Sequence, residues 1–197
     1  CFLFIFFDVS ETNRSFFLIF SDEKDLVVEV SSNSVLRALR EEKAAKISGG
    51  LYHETQVRLT YNSNRIEGSH LTEDQTRLIF ETRTIGAGGA DIPVDDIIET
   101  ANHFRAVDYM IDNAEAQLTE PLIKELHRIL KTGTQDVALP WFHVGNYKAR
   151  ANTVGGMETV APERIADAVQ GLLRKYGTAA HSLEDIVEFH YEFECIH

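Results

Sequence analysis

The sequence predicts an all-α chain with one small β-hairpin inserted between its helices. Apolar residues recur at helical spacing through most of the chain after about residue 34. Capping residues, glycines and prolines bracket those runs where helices should begin and end. The helical period vanishes only between Gly133 and Ala161, where Thr153-Val154, Gly155-Gly156 and Met157–Val160 read as two short strands around a two-residue turn.

Each helix has its own warrant. Ser34 opens a helix over Val35, Leu36, Leu39 and Ala45 that Gly49-Gly50 stops, and a second runs from about Tyr52 to Ile66 and ends at Gly68. Thr72 followed by Gln75 is a capping box for a short helix to about Thr82. Gly86-Ala87-Gly88-Gly89 reads as a flexible loop, and Pro93 suits a helix N-terminus. Ile97, Ala101, Phe104, Val107, Ile111 and Ala114 then mark the longest amphipathic helix, about 94–115. Thr119 opens another, with Leu122, Ile123, Leu126, Ile129 and Leu130 on one face and Gly133 beyond its end. Pro162 precedes a helix carried by Ile165, Val169, Leu172 and Tyr176, with Gly177 as the residue past its cap. Ser182 and Asp185 form a capping box for the last helix, whose Ile186, Phe189, Phe193 and Ile196 share a face.

The two ends stand apart from this pattern. Residues 1–33 form an atypical segment: seven of the twelve Phe fall in the first 20 positions, and the first residue is Cys1. The segment reads either as an artefact or as a hairpin appendage with Leu26–Val30 as a strand. Its apolar runs are too short for the roughly 18–20 residues that span a bilayer, and no signal-peptide pattern is present. At the other end the last helix stops on its apolar face at His197, so the expectation is a chain cut short inside a longer pattern. Residues 34–197 are the folded unit.

With 44% hydrophobic and 25% charged residues, wholesale disorder is excluded. Nineteen basic against 31 acidic residues give a charge of −12 with no basic stripe, which speaks against nucleic acid and anionic membrane surfaces as partners. Two cysteines, Cys1 and Cys195, make no disulfide framework, and a reducing, cytoplasmic setting is expected. A homo-oligomer is left open.

Chemistry is sparse by motif. Glu194-x-x-His197 has the spacing used in di-metal helical bundles, but such a site needs a second copy and two more carboxylates. No His-Glu-x-x-His, Gly-rich phosphate loop or Gly-x-Ser-x-Gly elbow occurs. Read from its residues alone, the chain is an acidic helical domain.

Two strings carry a resemblance. Ser63-Asn64-Arg65-Ile66-Glu67-Gly68, at a helix end, resembles the inhibitory Ser-x-x-x-Glu-Gly motif of the Fic (filamentation induced by cAMP) domain family. The helix Ile186–His197 resembles the one that leads into that family's signature, H-P-F-x-[D/E]-G-N-G-R-x-x-R, with His197 as its first residue. Gly145-Asn146-Tyr147-Lys148, followed by the Gly-Gly turn and Pro162, is similar to the family's flap region. The resemblance covers about residues 35–197 and implies a Fic-like helical domain with a β-hairpin flap.

It also implies a protein adenylyltransferase (AMPylation) that moves AMP from ATP, with Mg²⁺, to a Tyr, Thr or Ser hydroxyl of a target protein. By the same resemblance His197 is the catalytic base, Ser63, Glu67 and Gly68 form the inhibitory motif, and Val154, Gly155, Gly156, Met157, Glu158 and Thr159 form the target-docking flap. The metal ligands are expected after His197, so the polypeptide as it stands is expected to be inactive. Removal of AMP, transfer of another phosphate-containing group, and a non-catalytic protein-binding module are the alternatives.

Overall fold

The computed structural model describes residues 32–86, 91–154, 156–177 and 182–196. The expectations for residues 1–31, for Leu26–Val30 as a strand, for the centre of the Gly86–Gly89 loop and for His197 itself fall outside them.

The described chain is built from seven α-helices: α1 Ser32–Ala45, α2 Leu51–Ile66, α3 Glu73–Thr82, α4 Val94–Asp112, α5 Glu120–Lys131, α6 Ile165–Tyr176 and α7 Leu183–Ile196. Their starts follow the capping chemistry in the sequence. Thr72 Oγ1 accepts from the Gln75 N–H while the Gln75 side chain accepts from the Thr72 N–H, closing the capping box of α3. Ser182 and Asp185 do the same ahead of α7, and the Thr119 hydroxyl caps α5 with Pro121 in its first turn.

Two apolar clusters hold the helices. Leu36 and Leu39 of α1, Leu59 of α2, and Val107 and Ile111 of α4 form one. Ile123 of α5, Ile165, Val169 and Leu172 of α6, and Phe189, Phe193 and Ile196 of α7 form the other. Each fully buried aliphatic side chain contributes about 1.5–3 kcal/mol. The α4 helix belongs to the first cluster and also packs along α5, so it joins the two halves.

Polar groups inside α2 and α4 are paired across that junction. Gln56 Nε2 donates to the Phe104 carbonyl and to Asp108, Thr60 Oγ1 lies 3.1 Å from His103 Nδ1, and Asn64 Nδ2 donates to Thr100 Oγ1 at 2.9 Å. This ladder fixes the register of α2 on α4, because a one-turn slip would leave buried polar groups unpaired.

Two expectations need correction. The β-hairpin flap does not stand as an element of the fold. The described residues hold a two-residue pairing, Thr153 opposite Glu158 and Val154 opposite Met157, with Gly155 of the connecting turn outside them. Thr153, Met157 and Glu158 are exposed, and the strands fall short of the usual three to ten residues. The alternation read in the sequence is too short to carry a sheet, so the fold is helical. Gly177 also caps α6 with φ −79, not in the left-handed conformation expected of a residue past a helix end.

No helix among the described residues is long and apolar enough to cross a membrane.

Candidate functional site

The end of α2 is shaped by its own backbone. Gly68 has φ +92, a conformation that favours glycine. Gly68 N–H donates to the Arg65 carbonyl and Ser69 N–H to the Asn64 carbonyl at 2.9 Å, the paired bonds of a Schellman motif. Glu67 is the cap residue of that motif, so the glycine that ends the helix also fixes where the glutamate leaves it. Ser63 is buried, and its hydroxyl has no hydrogen-bond partner among the described residues. The anchor of this turn is Asn64, through Thr100 of α4.

Glu67 is exposed as a residue, yet its carboxyl faces protein on one side. Burial pushes its pKa up, Lys131 at the end of α5 opposes that rise, and the like charges of Glu194 and Glu99 add to it. One carboxylate oxygen of Glu194 is itself buried with no hydrogen-bond partner among the described residues. Glu67 and the last turn of α7 therefore share one electrostatic environment.

Lys131 is placed for that environment by α4. Its ammonium lies 2.6 Å from Glu99 and 3.4 Å from Asp136. Burial works against its charge, but Glu99 and Asp136 outweigh burial and hold the pKa above the ordinary lysine value. Asn102, one turn along α4 from Glu99, donates to the carbonyls of Leu130 at 2.9 Å and Thr132 at 2.7 Å, closing off the end of α5.

The last turn of α7 is held from the 148–160 segment. Val160 N–H donates to the Cys195 carbonyl, and Lys148 Nζ donates to the Ile196 carbonyl, both at 3.1 Å. Lys148 also donates to Asn152 and Thr159, so one ammonium joins the two sides of the short pairing to the helix end. Burial lowers its pKa. Upstream, Gly145 has φ +73, and its N–H donates to His127 Nδ1 of α5 at 3.0 Å. A Cβ at Gly145 would meet the Arg128 Cβ at 3.0 Å, which seats the segment directly against α5.

The structure thus brings Glu67 toward α7 and the 148–160 segment onto the end of α7. The resemblance pointed to Ser63, Glu67 and Gly68 but gave no role to Asn64, Lys131 or Glu194. Asn64 lay inside the quoted hexapeptide, and a buried Asn near a helix end is a signal in its own right. Lys131 and Glu194 lie far apart in the sequence and meet only through packing.

With this geometry in place, residues 117–197, which span α5 to α7, match the model of the Fic/DOC family. That part of the chain is similar to the Fic/DOC family. Two solved structures with this fold are a Fic domain containing signaling protein from Bacteroides thetaiotaomicron VPI-5482 and a Fic family protein from Desulfovibrio desulfuricans G20. The first is 24% identical with a TM-score of 0.53, and the match covers 72% of this chain and 55% of that one. The second is 21% identical with a TM-score of 0.59, covering 84% of this chain and 51% of that one. The chain therefore spans about half the length of either structure. No curated protein matches it.

The similarity to that family implies Mg²⁺, a hard cation that wants several oxygen ligands. Among the described residues no group of three or more His, Cys, Asp or Glu side chains is arranged to hold a metal ion. No step is derived through Mg²⁺.

Proposed function

We infer that this chain supplies the general base and the inhibitory glutamate of a Fic-type transfer of AMP from ATP to a Tyr, Thr or Ser hydroxyl of a protein. One observation carries the reading: Glu67, in the inhibitory-type motif, shares its electrostatic environment with Glu194, three residues before His197.

In the reaction, His197 takes the proton of the target hydroxyl as its oxygen attacks the α-phosphorus of ATP. A new O–P bond forms, the bond to the β-phosphate oxygen breaks, and pyrophosphate leaves. An imidazole with a reference pKa of about 6.5 suits that proton transfer near neutral pH. Lys148 and the Val160 N–H steady the helix turn that delivers the base.

Glu67 restrains the reaction. Its carboxylate and that of Glu194 raise local negative charge, which repels a triphosphate and attracts a phosphate-binding arginine away from its substrate. The buried, unsatisfied oxygen of Glu194 supports a cation docking at this place.

The test uses a polypeptide that carries residues 1–197 together with the Fic signature through its second arginine. Labelling of protein hydroxyls from ATP should rise with Glu67→Gly and vanish with His197→Ala. Equal labelling by the parent and the Glu67→Gly variant would remove the inhibitory role. No labelling by either would favour a protein-binding module, a reading that Val187 and Tyr191, 53% and 60% exposed on α7, make specific.

A further inference from the structure

A cavity of about 320 Å³ lies between α5, α6, α7 and the 141–152 segment. Its floor is the second apolar cluster, with Ile123, Val169 and Phe193 facing it. The volume falls at the lower end of small-molecule sites, roughly 300–1,000 Å³. Its wall contains Lys124, Lys148 and Arg150 and no Asp or Glu, in a chain where acidic residues outnumber basic ones 31 to 19. This is a local reversal of the molecule's charge.

The three cations are not equivalent. Lys124 lies 2.8 Å from Glu120 and over the Tyr147 ring, so its charge is already balanced. Lys148 is engaged with Asn152, Thr159 and the Ile196 carbonyl. The Arg150 guanidinium sits 4.9 Å from the centre of the Trp141 ring and makes no ion pair or hydrogen bond among the described residues. It is exposed, with its cation over the indole face and its planar donors unused among the described residues. A planar guanidinium pairs two N–H donors with one carboxylate.

We propose that this cavity binds an aromatic monocarboxylate, its ring against the apolar floor and its carboxylate on Arg150. One uncommitted guanidinium matches one carboxylate, and the aromatic residues beside it (Trp141, Phe142 and Tyr147) favour a flat ring over a flexible chain. The cavity adjoins the turn before His197, since Lys148, Asn152 and Ile196 line it, but the proposal stands without the transfer inferred above.

Trp141 is the only tryptophan of the chain, so its emission and its indole N–H resonance report on this cavity alone. The probe is 3-phenylpropionate, with 3-phenylpropionamide as its uncharged counterpart, titrated into the 197-residue chain. The acid should change both signals saturably, and the amide should bind at least tenfold more weakly. Arg150→Gln should bring the acid down to the level of the amide and leave amide binding unchanged, which also shows that the cavity is intact. No saturable change in either signal would overturn the proposal. So would equal binding of acid and amide, or an Arg150→Gln variant that binds the acid as the parent does.

Discussion

Asn64 donates to Thr100 Oγ1 at 2.9 Å, and both residues are buried at the join between α2 and α4. That bond reaches the last turn of α2 one helical turn or less from Glu67, and it sets where the Schellman turn falls relative to α4 and hence α5. Asn64→Ala should lower stability by about 1–3 kcal/mol, the cost of leaving a buried hydroxyl without its donor. The urea midpoint measures this. A Thr100→Val change made on top should then cost less than it does alone, because the pair has already been broken.

His103 ties stability to acid. Burial holds its pKa down to about 4, against 6.5 for a free imidazole. Between those values the unfolded chain binds a proton that the folded chain does not, so stability rises with pH through the window and is lost as pH falls toward 4. The shift corresponds to roughly 3 kcal/mol. Urea midpoints taken from pH 7 to 4 should fall more steeply in the parent than in His103→Phe. Parallel profiles would show that the histidine is protonated in the folded protein.

Glu67 acts with the opposite sign. Burial first, and then Glu194 and Glu99, raise its pKa above the ordinary carboxylate value. The folded state therefore holds its proton to higher pH than the unfolded state does, and stability falls as pH rises through that interval. Glu67→Gln should be more stable than the parent at neutral pH, with a flatter pH profile above 4.5. Lys131→Met removes the charge that opposes the rise, so the Glu67 carboxyl should titrate still higher, as carbon-13 NMR of its carboxyl would register. An unmoved Glu67 titration would mean that Lys131 does not act on it.

Much of the helical fold was legible because local chemistry and packing agree. Thr72 with Gln75, Thr119 with Pro121, and Ser182 with Asp185 each begin a helix where the sequence places one. Periodicity also found the buried Ile123 and Leu126 of α5 and Phe189, Phe193 and Ile196 of α7, whereas Leu122, Ile129 and Leu130, read on the same face of α5, are only partly buried. The hairpin misled because alternation over two residues per side is satisfied by a turn with two-residue pairing. The candidate site was half legible. Ser63, Glu67 and Gly68 are contiguous, and their pattern survives in one dimension. Lys131, Glu99 and Glu194 acquire meaning only when α4, α5 and α7 pack, and no spacing rule reaches across the 32 residues between Glu99 and Lys131, let alone from Lys131 to Glu194.

Gly145 is required twice over. Its φ of +73 costs an alanine about 1–2 kcal/mol, and a Cβ there would press on Arg128 at 3.0 Å. Gly145→Ala should destabilise by at least that conformational cost and weaken the bond to His127. Asn tolerates positive φ but shares the Cβ, so Gly145→Asn should fall between glycine and alanine. If the two variants are equal in urea midpoint, the contact with Arg128 dominates; if Asn matches glycine, the backbone does.

Lys148 is the remaining lever on the end of α7. A methionine there keeps the apolar stem but removes the donors to the Ile196 carbonyl, Asn152 and Thr159. Free carbonyls at a helix end fray unless something replaces their donors, and a lost hydrogen bond of about 1–1.5 kcal/mol raises local opening on the order of tenfold. Lys148→Met should therefore speed amide hydrogen exchange in the last turn of α7 by about that factor while leaving α4 unchanged. Thr159→Val, which removes one of the three acceptors, should have a smaller effect in the same place. An effect spread evenly over α4 and α7 would mean that Lys148 stabilises the whole fold, and the clamp on the turn before His197 would have to be given up.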